Sequence, residues 1–218
     1  MFQIFRTKAH PKQRPSKVRS RFILSAGCML AGLTSVAIPT GTLTAQTTFV
    51  WNNLQDYWDE PGAWTPGGPP GANDIASFQN AAIDTILWDN FTANRQVGKL
   101  QITAGNYQFN NIGSSQFELT INSNADKAFL VSGASTVFRL AGLHFNAASG
   151  GGEIGVGSRM HLLGGHPRGA RLSLKNLRVD GELNIESGAQ VSLNSQLSGG
   201  GMSIGAGTVN VTGSGSSL

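Results

Sequence analysis

The chain has 218 residues, 13% of them charged, with 29 glycines, a single cysteine and a formal net charge of +4. That length suits one domain able to bury a real core, and the aliphatic content is too high and too regularly spaced for a disordered polymer. One cysteine excludes a disulfide framework.

Residues 1–45 read as a targeting segment. The stretch from Met1 to Arg21 carries seven basic side chains and no acid, and Phe22 to Ile38 is largely apolar and uncharged. Pro39 and a run of small residues ending at Ala45 follow. This is the order of a secretory signal peptide, with cleavage expected after Ala45. The apolar run is at the short end of what spans a bilayer, so membrane contact is expected only through the uncleaved segment. Cys28 is expected to leave with it. Removing seven of the 16 Lys and Arg leaves 9 bases against 12 acids. The basic balance therefore belongs to the signal, and nucleic acid is not an expected partner.

Residues 46–82 hold a Trp-, Pro- and Gly-rich stretch, WNNLQDYWDEPGAWTPGGPPGANDIASF from Trp51 to Phe78. Its position directly before a repetitive region predicts a cap over the first unit of a stacked array, because such an array needs a closed end. Buried Trp51, Trp58, Trp64 and Trp88 would close a core. Exposed, the same rings would stack on sugars as a carbohydrate-binding surface. The acids Asp56, Asp59 and Glu60, with Asn52 and Asn53, lack calcium-loop spacing and read as a solvated turn.

From residue 83 to residue 218 short stretches alternate with period two, as in Lys99-Leu100-Gln101-Ile102 and Phe117-Glu118-Leu119-Thr120-Ile121. Such alternation predicts strands with one buried face. A glycine followed by small or polar residues and an apolar–x–apolar strand recurs at Gly105, Gly133, Gly157, Gly188 and Gly207. The intervals are roughly 20–30 residues, which are coil lengths of a solenoid. The prediction is an all-β chain: a right-handed parallel β-helix with an N-terminal cap, preceded by a signal peptide. An antiparallel sandwich would explain the strands but not the returning glycine unit.

The cap stretch resembles the start of the mature region in bacterial secreted proteins with autotransporter-associated β-strand repeats. The matching positions are Trp51, Trp58, Trp64, Gly67, Gly68, Pro70, Asp74, Ala76 and Phe78, with Ala63 where that family usually has Asn. The resemblance implies a secreted or surface-displayed, passenger-like β-solenoid, and it brings no catalytic residues.

Among the chemistry-bearing side chains, Glu182 and Glu186 alternate with Leu183 and Ile185 and read as outward-facing. With Asp180 they fix no catalytic geometry. His144, His161 and His166 lack the partners of a zinc set, and no catalytic residue, metal or cofactor is expected. Arg168, Arg171, Lys175 and Arg178 form the one basic cluster after residue 45, a candidate contact for a polyanion such as an acidic surface polysaccharide. The function expected is a non-enzymatic structural or adhesive element, secreted or at the cell surface. Its expected partners are surface polysaccharide or other cell-surface components. The alternative is a carbohydrate-binding or polysaccharide lyase-like β-helix. The Gly-Ser run Gly213 to Leu218 is too poor in apolar residues to cover a final coil, so end-to-end self-association is also expected.

Overall fold

A computed structural model describes residues 45–88, 95–165, 167, 169–194 and 201–218. Residues 1–44, which hold all but the last residue of the stretch read as a targeting segment and include Cys28, lie outside the described residues, as do His166 and Arg168.

Alternation of apolar and polar residues produces seventeen described strands, nearly all paired in parallel. They wind a β-solenoid of about six coils with three faces. Face one carries β1 (Thr48–Trp51), β3 (Ile75–Phe78), β6 (Lys99–Ile102) and β9 (Phe129–Val131), which pair in that order. Face two stacks β4 (Ile83–Trp88), β7 (Asn106–Asn111), β10 (Val137–Ala141), β12 (Arg159–Leu163), β14 (Glu182–Glu186) and β17 (Thr208–Thr212). Face three begins with β5 (Arg95–Val97) on β8 (Phe117–Ile121). Two long strands, β11 (Leu143–Ile154) and β13 (Arg171–Val179), turn the corner from face three to face one. β13 pairs at its start with β15 (Gln190–Leu193) and at its end with β16 (Gly201–Ile204).

Parallel pairing in register puts like positions above one another. On face two, Ile86, Phe109, Leu140, Leu162, Ile185 and Val211 form one inward column. On face one, Phe129, Gly152 and Leu177 are successive occupants of another. Gly152 is required there: a Cβ would lie 2.8 Å from Leu174 Cδ1 and 3.1 Å from Leu177 Cδ1. A large ring is followed by no side chain at all, which is how a column of fixed pitch accommodates unequal volumes.

The glycine unit needs one revision. Gly105, Gly133, Gly157 and Gly207 stand at the corner leading into face two, ahead of β7, β10, β12 and β17, whereas Gly188 leads into β15 on face three. The equivalent of the first four is Gly181, before β14. A Cβ on Gly181 would lie 2.3 Å from the Ser158 carbonyl oxygen, so only glycine fits under the coil below. With Gly181 in place of Gly188, the interval from one corner glycine to the next becomes nearly even, at roughly 25 residues per coil.

The Trp-rich stretch packs on the first coil. β1 lies parallel on β3, and β2 (Trp64–Thr65) pairs antiparallel with β1. β1 and β3, both within residues 46–82, thus already run parallel in the stack of face one. Trp64 meets Trp51 and Trp58 edge-on at 5.1 and 4.8 Å between ring centroids. Contacts then pass from Trp58 to Phe109 at 5.7 Å, and from Phe109 to Phe138 at 5.0 Å and Phe145 at 5.7 Å. Beyond β11 the core is aliphatic, built on Leu162, Leu172, Leu174, Leu183 and Ile185. Trp64 also donates its indole N–H to the Trp58 carbonyl oxygen at 2.8 Å, which fixes the ring. Trp64→Ala removes this packing and hydrogen bond, and is expected to cost about 3–5 kcal/mol in chemical denaturation; an unchanged midpoint would contradict the cap.

Candidate functional site

The four tryptophans are at most 2% exposed. Their polar atoms are turned inward as well: the Trp51 indole N–H donates to Asp84 Oδ2 at 2.6 Å. Stacking on a sugar requires an open indole face, and none of Trp51, Trp58, Trp64 or Trp88 offers one. The carbohydrate-binding alternative based on these rings is corrected accordingly, because closing the core beneath the cap consumes all four. Tyr107, one coil further on, donates its hydroxyl to Asn53 or to the Asn80 carbonyl. Burial, aided by the negative charge of Asp84, pushes its pKa up to about 12. In the turn between Trp51 and Trp64, Asp59 is held by the Arg95 guanidinium in a two-pronged ion pair.

The basic cluster is divided by the corner in β13. Arg171 is exposed on face three, Lys175 stands at the turn, and Arg178 is on face one. Arg178 Nε donates to Asp180 Oδ2 at 2.5 Å. Lys127 pairs with Glu153 at 2.8 Å, and these two side chains and Arg178 line a cavity of about 520 Å³ on face one. Arg168 lies outside the described residues. Residues adjacent in sequence are thus spread around a bend, and Arg178 already has its counter-charge.

Face two carries polar ladders. Arg159 Nε donates to Glu182 Oε2 at 3.0 Å, and Asn184 donates to Glu182 Oε1 at 3.0 Å. Asn210 donates to Asn184 at 2.8 Å, and His161 Nδ1 lies 3.0 Å from Glu186. Glu182 is held below the usual carboxylate range, chiefly by the Asn184 hydrogen bond. Asp180, Glu182 and Glu186 each face a partner of their own and do not converge.

Face three brings together a group that sequence reasoning did not assemble. Glu118 on β8 accepts from Thr120 Oγ1 at 2.9 Å and from Asn146 Nδ2 at 3.0 Å, both at Oε1. Its other oxygen lies 3.1 Å from Nδ1 of His144 on β11. Nε2 of the same ring is 2.9 Å from Oγ of Ser173 on β13. The three side chains come from three successive coils, far apart in the chain, and only the stacking makes them neighbours. Each occupies the outward position of an apolar–x–apolar triplet: Phe117-Glu118-Leu119, Leu143-His144-Phe145 and Leu172-Ser173-Leu174. Aligning the first two triplets sets His144 over Glu118, while Ser173 stands two positions beyond Arg171, the register partner of His144, and is reached diagonally.

Burial lowers the His144 pKa; the charge of Glu118 opposes that shift and the charge of Arg171 adds to it. The ring is therefore neutral near neutral pH. Nδ1–H donates to the carboxylate, and Nε2 accepts the Ser173 hydroxyl. Arg171 is the register partner of His144 and shares the outward side of β13 with Ser173, two positions away. Carboxylate, imidazole and hydroxyl in this order can move a proton off the serine oxygen.

No protein-family model, curated protein or solved structure matches this chain.

Because the folded protein holds His144 below its ordinary pKa, the unfolded chain binds the extra proton more readily. The stability this contributes is present above about pH 6.5 and is lost as pH falls towards the folded pKa. The melting temperature of the wild-type protein relative to His144→Gln should fall between about pH 7 and about pH 5. A difference that grows with acidity would reverse the assignment.

Proposed function

We propose that this chain is an exported β-solenoid that acts at the cell surface or outside the cell as a structural or adhesive element. One observation carries this reading: the molecule is a solid, in-register stack whose last described coil is suited to pairing with another strand. Residues 187–218 include no charged side chain. Ile204 and Val211, which continue the inward columns of faces one and two, are 54% and 46% exposed. Strand edges that must stay alone in water usually carry lysine, proline or a bulge with an inward charge. Here the last strand of face two, β17, is neutral and rich in β-branched residues. Either a further coil or a strand of another molecule would satisfy it.

The other end is different. There β2 crosses β1 antiparallel, and three tryptophans fill the core beneath. Head-to-tail stacking would need the cap to open, so pairing between two copies of this chain is expected at the last coils, related by a two-fold axis. The resemblance of the Trp-rich stretch to autotransporter-associated repeat proteins and the basic-then-apolar order of residues 1–45 support export. The polar outer ladders suit contacts with surface polysaccharide or other cell-surface components.

Static light scattering across about a hundredfold concentration range tests the reading, because edge pairing grows by mass action. The apparent mass should rise towards that of a dimer, and Val209→Lys should suppress the rise by placing a charge at the open edge. A monomer at every concentration would contradict it.

A further inference from the structure

We infer that Glu118, His144 and Ser173 form an ester-cleaving relay on face three, with Ser173 as nucleophile and His144 as general base. This goes beyond a structural or adhesive role and adds chemistry to the same rod.

Three independent features of the group point the same way. The spacing suits the proton transfer and the hydrogen bond that orients it, 2.9 Å from Ser173 Oγ to His144 Nε2 and 3.1 Å from His144 Nδ1 to Glu118. Within such distances a histidine can take the serine proton as the oxygen attacks. The carboxylate is itself held, by Thr120 and Asn146, so it fixes the tautomer and the plane of the imidazole. Finally, the ring is partly buried but reachable, its side chain 22% exposed. A merely space-filling polar ladder needs hydrogen bonds between neighbours. It does not need the order carboxylate, Nδ1, Nε2, hydroxyl.

The substrate class follows from what surrounds Ser173. Arg171 lies two positions before it and Lys175 two positions after it on β13. A carboxylic ester on a negatively charged molecule would be drawn to this row, with its carbonyl oxygen towards the Arg171 guanidinium. In the first step Ser173 Oγ bonds to the carbonyl carbon while its proton passes to His144 Nε2. The tetrahedral oxyanion lies beside Arg171. Collapse breaks the bond to the alkoxy group, which takes the proton from Nε2 and leaves as an alcohol, so the acyl group stays on Ser173. Water then repeats the sequence: its proton goes to Nε2, its oxygen bonds to the acyl carbon, and the Ser173 oxygen departs with the proton. The net change is ester plus water to acid plus alcohol, with no other reactant. Among the described residues, Glu118 and Arg171, on the coils to either side, are the charged groups that face His144, and its own strand contributes Asn146.

The test uses the full chain and a fluorophosphonate reagent, which forms a stable adduct only with an activated hydroxyl, followed by peptide mass mapping. Expected is one adduct, on the peptide containing Ser173, absent in Ser173→Ala. In His144→Gln it should form roughly 10²–10⁴-fold more slowly. Hydrolysis of p-nitrophenyl acetate should follow the same order among the variants, with a rate that rises with pH as His144 loses its proton and is half-maximal below the ordinary histidine pKa of about 6.5. Circular dichroism of each variant identifies any that fail to fold. The wild-type result decides by itself in that case: no adduct on Ser173, or an adduct spread over several serines, overturns the proposal. So does labelling of a folded His144→Gln at the wild-type rate.

Discussion

Every coil of this molecule must deliver its large apolar side chains above those of the coil before, because parallel pairing fixes both the pitch and the register. From that constraint the rest follows. A slip of one position would send a column such as Ile86, Phe109, Leu140, Leu162, Ile185 and Val211 out to solvent, and bring Thr85, Gln108, Arg139, His161, Asn184 and Asn210 in. Fully burying each large aliphatic or aromatic side chain is worth about 1.5–3 kcal/mol, so the penalty for such a slip accumulates over every rung. The aromatic contacts from Trp64 through Phe109 to Phe145 set the register at the capped end, and the leucines and isoleucines propagate it.

The same constraint makes chemistry out of side chains far apart in the chain. Outward positions also stack, so a polar residue on one strand meets whatever the next coil offers at that rung. On face two this yields ion pairs and amide ladders, with Arg159 on Glu182 and Asn210 on Asn184. On face three it yields Glu118, His144 and Ser173, where the neutral imidazole has a held carboxylate on one side and a hydroxyl on the other.

Much of the architecture was legible in the sequence because strands announce themselves by alternation. Leu100 with Ile102, and Phe117 with Leu119 and Ile121, are buried as their spacing requires. Gly105, Gly133, Gly157 and Gly207 were legible from the small or uncharged polar residue after each, Asn106, Ala134, Ser158 and Thr208. Gly181 escaped because the charged Glu182 follows at once; its necessity comes from the Ser158 carbonyl of the adjacent coil. The basic run after residue 165 looked continuous because sequence does not display the corner in β13, which sends Arg171 and Arg178 to different faces. The face-three group was invisible for a simpler reason. The interval from Glu118 to His144 differs from that between His144 and Ser173, so no fixed period in the sequence brings the three into line.

The central claim is that face two is a single in-register stack, and spin-label distances test it directly. With Cys28 replaced by Ser, labels are placed on the outward pairs Thr85 with Asn184 and Thr85 with Asn210, which lie four and five rungs apart. At about 4.8 Å per rung the account predicts separations of about 19 and 24 Å, differing by one rung. Separations that do not increase by one rung from Asn184 to Asn210 would contradict it.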